Sequence, residues 1–314
     1  MGPMPRTVTV RAPGKVNLQL SVGPRRADGY HPLVTVFQAV SLFETVTATA
    51  RDDDAFTLSM STGPSLMLDP VTVPLDESNL ALKAARAVAE RYGITDGVDL
   101  EIVKGVPVAG GMAGGSADAA AAVVACAEAW DVGASREELV RICASLGADV
   151  PFCLHGHTAI GLGRGDELSP AMTHGEFHWV LATQRTGLST PAVFREFDRA
   201  AEAGERTVVA PAIDERVMEA LMAGDAKRLG EALTNDLQDS ALALAPHLSR
   251  VLGAAHEAEA LGAIVSGSGP TVAALARSRQ HALAIAAHLT ASDVADHVLT
   301  ASGPVAGATV LLEQ

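Results

Sequence analysis

The sequence predicts an α+β fold in two domains, and three observations carry that expectation. The chain has 314 residues, about two domains' worth and enough to bury a large core without metal or disulfide staples. Strand-like and helix-like patterns alternate irregularly, with hairpin signals between them, which argues against a doubly wound parallel sheet. Turn residues cluster around 160–175, and a new series of elements starts after them. The expected division is therefore residues 1–165 and residues 166–314.

The elements follow in order. Residues 7–11 (TVTVR) alternate and read as a strand, and Val16 to Val22 reads as a second, separated from it by a Pro-Gly turn. Gly23 to Gly29 is polar, and Asp28-Gly29 marks a hairpin turn. Leu33 to Thr49 is rich in β-branched and apolar residues and supplies one or two strands. Ser78 is placed as the cap of a helix running to about Arg91, with Gly93 just past its end. Val98 to Val103 is a strand, a glycine-rich loop follows, and an alanine-rich helix runs from about Ser116 to Trp130. Ser135 to Glu138 is a capping box opening a helix that stops at Gly147. Thr158 to Gly163 and Phe177 to Thr183 read as strands. Helices are expected near 190–203, 213–223, 225–233 and 246–260. Ala263 to Ser266 and Thr271 to Ala276 read as strands around a second glycine turn, before a helix near 278–290 and a last strand near 305–312.

Composition excludes several classes. The formal charge of −14 opposes nonspecific binding to nucleic acid or to an anionic membrane. The longest apolar run in the alanine-rich helix, Ala119 to Ala127, is nine residues, far short of the roughly 18 that a membrane span requires. The first residues, MGPMPRTVTV, show neither an apolar core nor a small-residue cleavage site of a secretory signal. Cys126, Cys143 and Cys153 are odd in number and lack CxxC spacing, so a reducing cytoplasm is the expected compartment. Cys153, His155 and His157 match no zinc pattern, and Asp52 to Asp54 reads as a solvated loop, so no metal site is expected in the chain.

The most informative stretch is Lys104 to Asp118. Glycines at 110, 111, 114 and 115 let backbone N–H groups converge on a bulky anion, and the following helix presents its positive end to the same point. The loop is not a Walker A motif, because no lysine follows Gly115, and G-x-G-x-x-G fits no register of it.

The segment Pro107, Val108, Ala109, Gly110, Gly111, Met112, Ala113, Gly114, Gly115, Ser116 and Ala117 resembles the phosphate-binding motif of the GHMP kinase superfamily. Ala12 to Asn17, Gly147 to Phe152 and Ser266 to Thr271 resemble three further motifs of that superfamily, in its order. Arg26-Ala-Asp-Gly-Tyr-His31 resembles the branch that acts on a cytidine diphosphate polyol. The resemblance covers residues from about 11 to 272.

It implies a GHMP kinase-like architecture: a first domain like domain 2 of ribosomal protein S5, which binds ATP, and a ferredoxin-like second domain on the substrate side, with the active site between them. It also implies ATP-dependent phosphorylation of the 2-hydroxyl of 4-diphosphocytidyl-2-C-methyl-D-erythritol in the non-mevalonate isoprenoid route. Mg²⁺ would arrive with the nucleotide. A homoserine- or mevalonate-type kinase, or a relative that binds nucleotide without turnover, are the other readings.

Phosphoryl transfer to an alcohol needs a phosphate cradle, a group that positions and deprotonates the hydroxyl, and positive charge on the transferring oxygens. Under the resemblance the residues 107–117 are the cradle, Asp149 the base and Lys15 the cation. Asn17 lies on the same face of the strand as Lys15 and orients either the substrate alcohol or Asp149. Ser116 either caps the helix or reaches a phosphate or Mg²⁺, and Asp118 serves either Mg²⁺ or the helix dipole. Tyr30 and Phe194 would close the two faces of the cytosine, and His31 would meet its edge through backbone or imidazole. Gly267, Ser268 and Gly269 would bring backbone N–H groups and a hydroxyl to the substrate phosphates. Phe37 lines the pocket or the core, and Arg25-Arg26 meets the diphosphate or stays in solvent.

Overall fold

The computed structural model describes residues 6–63, 73–108 and 110–311. Two sheets organise it. The first has eight strands in the order β12-β1-β2-β4-β3, with β5, β6 and β8 attached beside β2, β5 and β1. Its strands are β1 (Thr7–Val22), β2 (Leu33–Ala50), β3 (Phe56–Thr62), β4 (Val98–Lys104), β5 (Thr158–Gly163), β6 (Glu167–Pro170), β8 (Thr234–Asn235) and β12 (Thr309–Leu311). The second has four antiparallel strands in the order β11-β7-β10-β9, from β7 (Phe177–Thr183), β9 (Gly262–Val265), β10 (Val272–Ala276) and β11 (His297–Gly303).

The two strands expected before Val22 are one. β1 runs through Pro13 and Gly14 without a turn, because Pro13 sits at a register shift, where its missing N–H leaves no ladder bond broken. A second shift lies between Asn17 and Gln19. β2 is likewise continuous; its first half pairs with β5 and its second with β4.

Three helices of the first half lie against its sheet, α1 (Leu80–Tyr92), α2 (Gly114–Ala129) and α4 (Val150–His155), and α3 (Arg136–Leu146) packs on those helices. The cap of α1 is Asn79 rather than Ser78; its carboxamide oxygen accepts the Ala81 N–H at 2.8 Å, while the Ser78 hydroxyl bonds Asp76. Gly93 closes α1 in the left-handed region, as expected. α2 starts two residues before Ser116, and nearly every residue from Ala117 on is buried, so alanine is what lets it sit close to its neighbours on all sides. The capping box at Ser135 and Glu138 forms on both sides.

The chain leaves the first sheet after β6 and enters the second at β7. A division at 165/166 falls within the β5–β6 hairpin turn, and both of its strands belong to the first sheet. Then come α5 (Thr190–Glu202), α6 (Glu215–Ala223), α7 (Ala226–Ala232), α8 (Gln238–Leu244), α9 (Leu248–Glu257) and α10 (Arg279–Ala291). Numbered within this half, the sheet order is 4-1-3-2, the ferredoxin-like arrangement. The strand expected near 305–312 shrinks to β12, and β11 precedes it, separated by the Gly303-Pro304 break. β3, β6, β8, β11, α4 and α8 have no counterpart in the sequence reading. All are short or on a sheet edge, where the hydrophobic period has little room to appear.

The two sheets share a core. Val16, Leu18 and Val36 from the first, with Met112 of the glycine loop, pack with Trp179, Leu181, Ile264 and Leu275 from the second. The Trp179 indole N–H donates to Gln38 Oε1 at 2.9 Å across this seam. β8 pairs in parallel with β1, and the Asp236 carboxylate accepts the Val22 N–H at 2.8 Å. The first and second halves are thus fixed against each other around the residues named above.

Candidate active site

The site is built from Lys15 outward. The two register shifts of β1 flank Lys15 and Asn17, and bulges of this kind re-aim side chains. Both residues are buried. Lys15 Nζ donates to Asn17 Oδ1 at 2.6 Å and to the Gly111 carbonyl at 2.7 Å. The Asn17 amide donates in turn to Thr35 Oγ1 at 2.8 Å, and Thr35 donates to the Gln19 carbonyl at 2.7 Å. Asn17 is thereby held to Lys15, which is the geometry its two-residue spacing on the strand predicts. Gly14 is required beside it: a Cβ there would come within 2.9 Å of Val106 Cγ1.

The glycine loop and the second glycine turn interlock over Lys15. The Gly111 carbonyl also accepts the Ser266 hydroxyl at 3.2 Å, and the Thr271 N–H donates to the Gly110 carbonyl at 3.3 Å. Gly267 has φ +57°, and a Cβ on it would lie 3.1 Å from Lys15 Nζ and 3.2 Å from Asn17 Oδ1. Three segments far apart in sequence therefore converge on one ammonium. Burial pushes the Lys15 ammonium below the ordinary lysine range, and the Asp149 charge, followed by Cys153, pulls it back.

A cavity of about 530 Å³ opens here. It is lined by Lys15, Asn17, Thr35, Phe37, Gly110, Gly111, Ala113, Gly114, Gly115, Ser116, Asp149, Phe194, Gly267, Ser268 and Gly269, among others. Of the remaining loop residues, Met112 and Ala117 are fully buried in the core; Pro107 and Val108 lie outside the lining; Ala109 lies outside the described residues. Ser116 does not cap α2. The N-cap is Ala113, left-handed at φ +62° with no side-chain bond, so the first N–H groups of α2 are not spent on a cap. Asp149 is the N-cap residue of α4 but makes no side-chain capping bond, so its carboxylate stays available to the cavity it lines.

Asp118 serves neither an ion nor the helix dipole. It is buried with its Oδ2 2.6 Å from Lys104 Nζ, and Glu44 Oε1 lies 2.6 Å from the same ammonium. Glu44 also accepts the Gly105 N–H at 2.9 Å. This triad braces the start of the glycine loop against α2.

A second cavity of about 620 Å³ adjoins the first, sharing Leu33, Ala148, Arg164, Thr190 and Phe194 with it. Tyr30 and His31 line it, with Arg25, Arg195 and Asp198. Tyr30 is 58% exposed, and the Arg164 guanidinium stands 5.8 Å from its ring centre. Three arginines against Asp198 make this end positive within an acidic chain. Both imidazole nitrogens of His31 are engaged: Nδ1 at 2.8 Å from the Gly23 carbonyl and Nε2 at 3.1 Å from Asp198 Oδ1. Of the two routes expected for His31, its backbone is the one left free by these contacts. Phe37 packs on Phe152 and reaches only the first cavity. Arg25 lines the second cavity; Arg26 does not.

Thr35, Arg164, Thr190 and Asp198 were not singled out from sequence. Thr190, Phe194 and Asp198 are spaced i, i+4, i+8 on α5, a one-face pattern that was legible. Thr35 and Arg164 carry no local signal, since their place in the site depends on the pairing of β2 with β1 and β5.

Comparison with known proteins bears on the family and the fold. Residues 79–157 match the family GHMP kinases N terminal domain, and residues 217–294 match GHMP kinases C terminal. The 4-diphosphocytidyl-2-C-methyl-D-erythritol kinase of Thermobifida fusca (strain YX) is 53% identical over 308 residues, covering 98% of this chain and 99% of its own. The protein of that name from Streptomyces coelicolor is 53% identical over 305 residues, covering 97% and 99%. A crystal structure of a 4-(cytidine 5'-diphospho)-2C-methyl-D-erythritol kinase superposes with a TM-score of 0.74 at 29% identity, covering 94% of this chain and 98% of the other. A homoserine kinase from Cytophaga hutchinsonii, at 18% identity and a TM-score of 0.73 over 99% of both chains, shares the fold. The chain belongs to the GHMP kinase family, grouped with its 4-diphosphocytidyl-2-C-methyl-D-erythritol kinases.

Proposed function

We propose that the chain is an ATP-dependent kinase that phosphorylates the 2-hydroxyl of 4-diphosphocytidyl-2-C-methyl-D-erythritol, giving the 2-phosphate and ADP, in the non-mevalonate isoprenoid pathway. The observation that carries this reading is the pair of adjoining cavities. One gathers Lys15, Asp149 and two glycine turns, and the other is flanked by Tyr30, Phe194 and three arginines. The first has the parts for phosphoryl transfer, and the second has the rings and the charge for a nucleoside diphosphate.

In this reading the backbone N–H groups of the glycine loop and of the first turn of α2 hold the ATP phosphates. Asp149 orients the acceptor hydroxyl and takes its proton as the oxygen attacks the γ-phosphorus and the bond to ADP breaks. Lys15, held by Asn17 and Gly111, neutralises charge on the transferring oxygens. Mg²⁺ comes with the nucleotide; Asp118, the nearest acidic residue of the loop, is committed to Lys104. Tyr30 and Phe194 take the two faces of the base, and the backbone at His31 meets its edge. Gly267, Ser268 and Gly269 approach the acceptor phosphates. The three cysteines are free and buried, which suits a cytoplasmic location.

The test is an ADP-release assay on the purified protein with three acceptors: 4-diphosphocytidyl-2-C-methyl-D-erythritol, homoserine and mevalonate. Turnover of the first alone is expected. Turnover of another alcohol only, or ATP binding without ADP release, would reject the proposal.

A further inference from the structure

We infer that Asp198 is a positioning residue that sets the gap between the two walls of the base-binding cavity; this rests on the substrate reading above. The walls belong to different elements: Tyr30 to the 23–32 connection between β1 and β2, and Phe194 to α5. Asp198 sits one helical turn beyond Phe194 and joins those elements. Its Oδ1 lies 3.1 Å from His31 Nε2, and its Oδ2 lies 3.6 Å from Arg25 Nη1. These two contacts fall on either side of Tyr30. Arg25 Nε also donates to the Gly29 carbonyl at 3.2 Å, and the Tyr30 carbonyl accepts the Arg26 N–H at 2.8 Å, so the grip on Arg25 extends through the turn.

His31 transmits the contact to the far wall as well. Its ring stacks on Phe194 with centroids 5.3 Å apart at 27°, and its edge meets Phe197 at 5.7 Å. The imidazole is nearly buried, and with Gly23 on Nδ1 and Asp198 on Nε2 it has one orientation available. Asp198 therefore fixes the ring that backs Phe194 and tethers the loop that carries Tyr30. A flat base stacked between those rings is sensitive to their separation, whereas Asp198, His31 and Arg25 are all absent from the lining of the first cavity, around Lys15.

The experiment measures CDP affinity by calorimetry, and KM for the cytidine substrate and for ATP, in wild type, Asp198→Ala and Asp198→Asn. Asp198→Ala is expected to weaken CDP binding and raise the cytidine-substrate KM about tenfold, a change of about 1.4 kcal/mol, with the ATP KM within about twofold. Asp198→Asn keeps the size of the side chain and a polar amide beside His31 Nε2 but loses the charge, so an intermediate loss of about threefold is expected. Should Asp198→Ala not fold, Asp198→Asn decides alone. The inference is overturned if CDP affinity is unchanged in the folded variants, or if both KM values rise together. Because CDP binding is read without turnover, a wild type that bound CDP but did not phosphorylate the substrate would reject the proposed reaction and leave this test standing.

Discussion

Lys15 is one of only four lysines, and its sequence position between a proline-glycine pair and an asparagine is what made it stand out. The structure adds the reason it can work: its three N–H directions are shared among Asn17, Gly111 and the open cavity. Lys15→Ala and Asp149→Asn are each expected to lower turnover at least about 100-fold, measured by ADP release on folded protein. A near-normal rate in either variant would remove that residue from the reaction. Glu44, by contrast, had no signal in the sequence, because a glutamate in a strand pattern looks like an outward-facing charge. Burial pushes its carboxyl up to about 8, with the Asp118 charge adding to the effect and Lys104 opposing it. An ordinary glutamate titrates near 4.5, so between 4.5 and 8 the folded chain holds a proton that the unfolded chain has lost. The stability this contributes is complete below 4.5 and is lost as pH rises through 8. Glu44→Gln is neutral throughout and should flatten the melting temperature against pH across that window. An unchanged slope would place the proton on another group.

At the scale of elements, the site is made where loops interlock. Gly111 has φ +74°, and a Cβ on it would run into the Ser266 carbonyl and come within 3.0 Å of the Gly269 N–H. Gly111→Ala must therefore strain the backbone, at about 1–2 kcal/mol, and also push the two glycine turns apart over Lys15. The expected outcome is a lower melting temperature together with a raised ATP KM, read by thermal melts and initial rates. An alanine variant with wild-type melting and ATP KM would show that the turns need not touch. The elements themselves were largely legible. α3 is announced by its capping box, and β7 by an apolar run of strand length. The Pro13-Gly14 pair misled because proline and glycine are turn signals by local chemistry. Here the proline occupies a bulge, and the glycine admits the close approach of Val106. Ser78 misled in the same way: two adjacent residues can both cap, and Asn79 won because the Ser78 hydroxyl bonds Asp76.

At the scale of the whole molecule, the two sheets pack on a shared core, and the cavities open where the glycine turns of both halves meet. That packing brings Tyr30 of the first half and Phe194 of the second into the lining of one cavity, and places Arg164 where the cavities join. Tyr30→Ala should therefore raise KM for the cytidine substrate by roughly tenfold or more, from the loss of about 1–3 kcal/mol of stacking, with little change for ATP. Equal effects on both would sink the stacking assignment. The −14 charge does not oppose this, because the local balance is reversed: Lys15, Arg25, Arg164 and Arg195 line the two cavities against only Asp149 and Asp198.

By itself the sequence determined the α+β class, most of the helices and strands, the glycine loop and the family whose motifs it carries. These are legible because hydrophobic period, capping residues and glycine spacing act over a few residues along the chain. Only the tertiary structure decided that Asp118 and Glu44 share Lys104, that Thr35 and Arg164 enter the site, and that Asp198 ties α5 to the Tyr30 loop. Each of those depends on strand register or on the packing of one half against the other. A one-residue slip of register turns a side chain to the opposite face, and nothing in a short stretch of sequence records which face its neighbour presents.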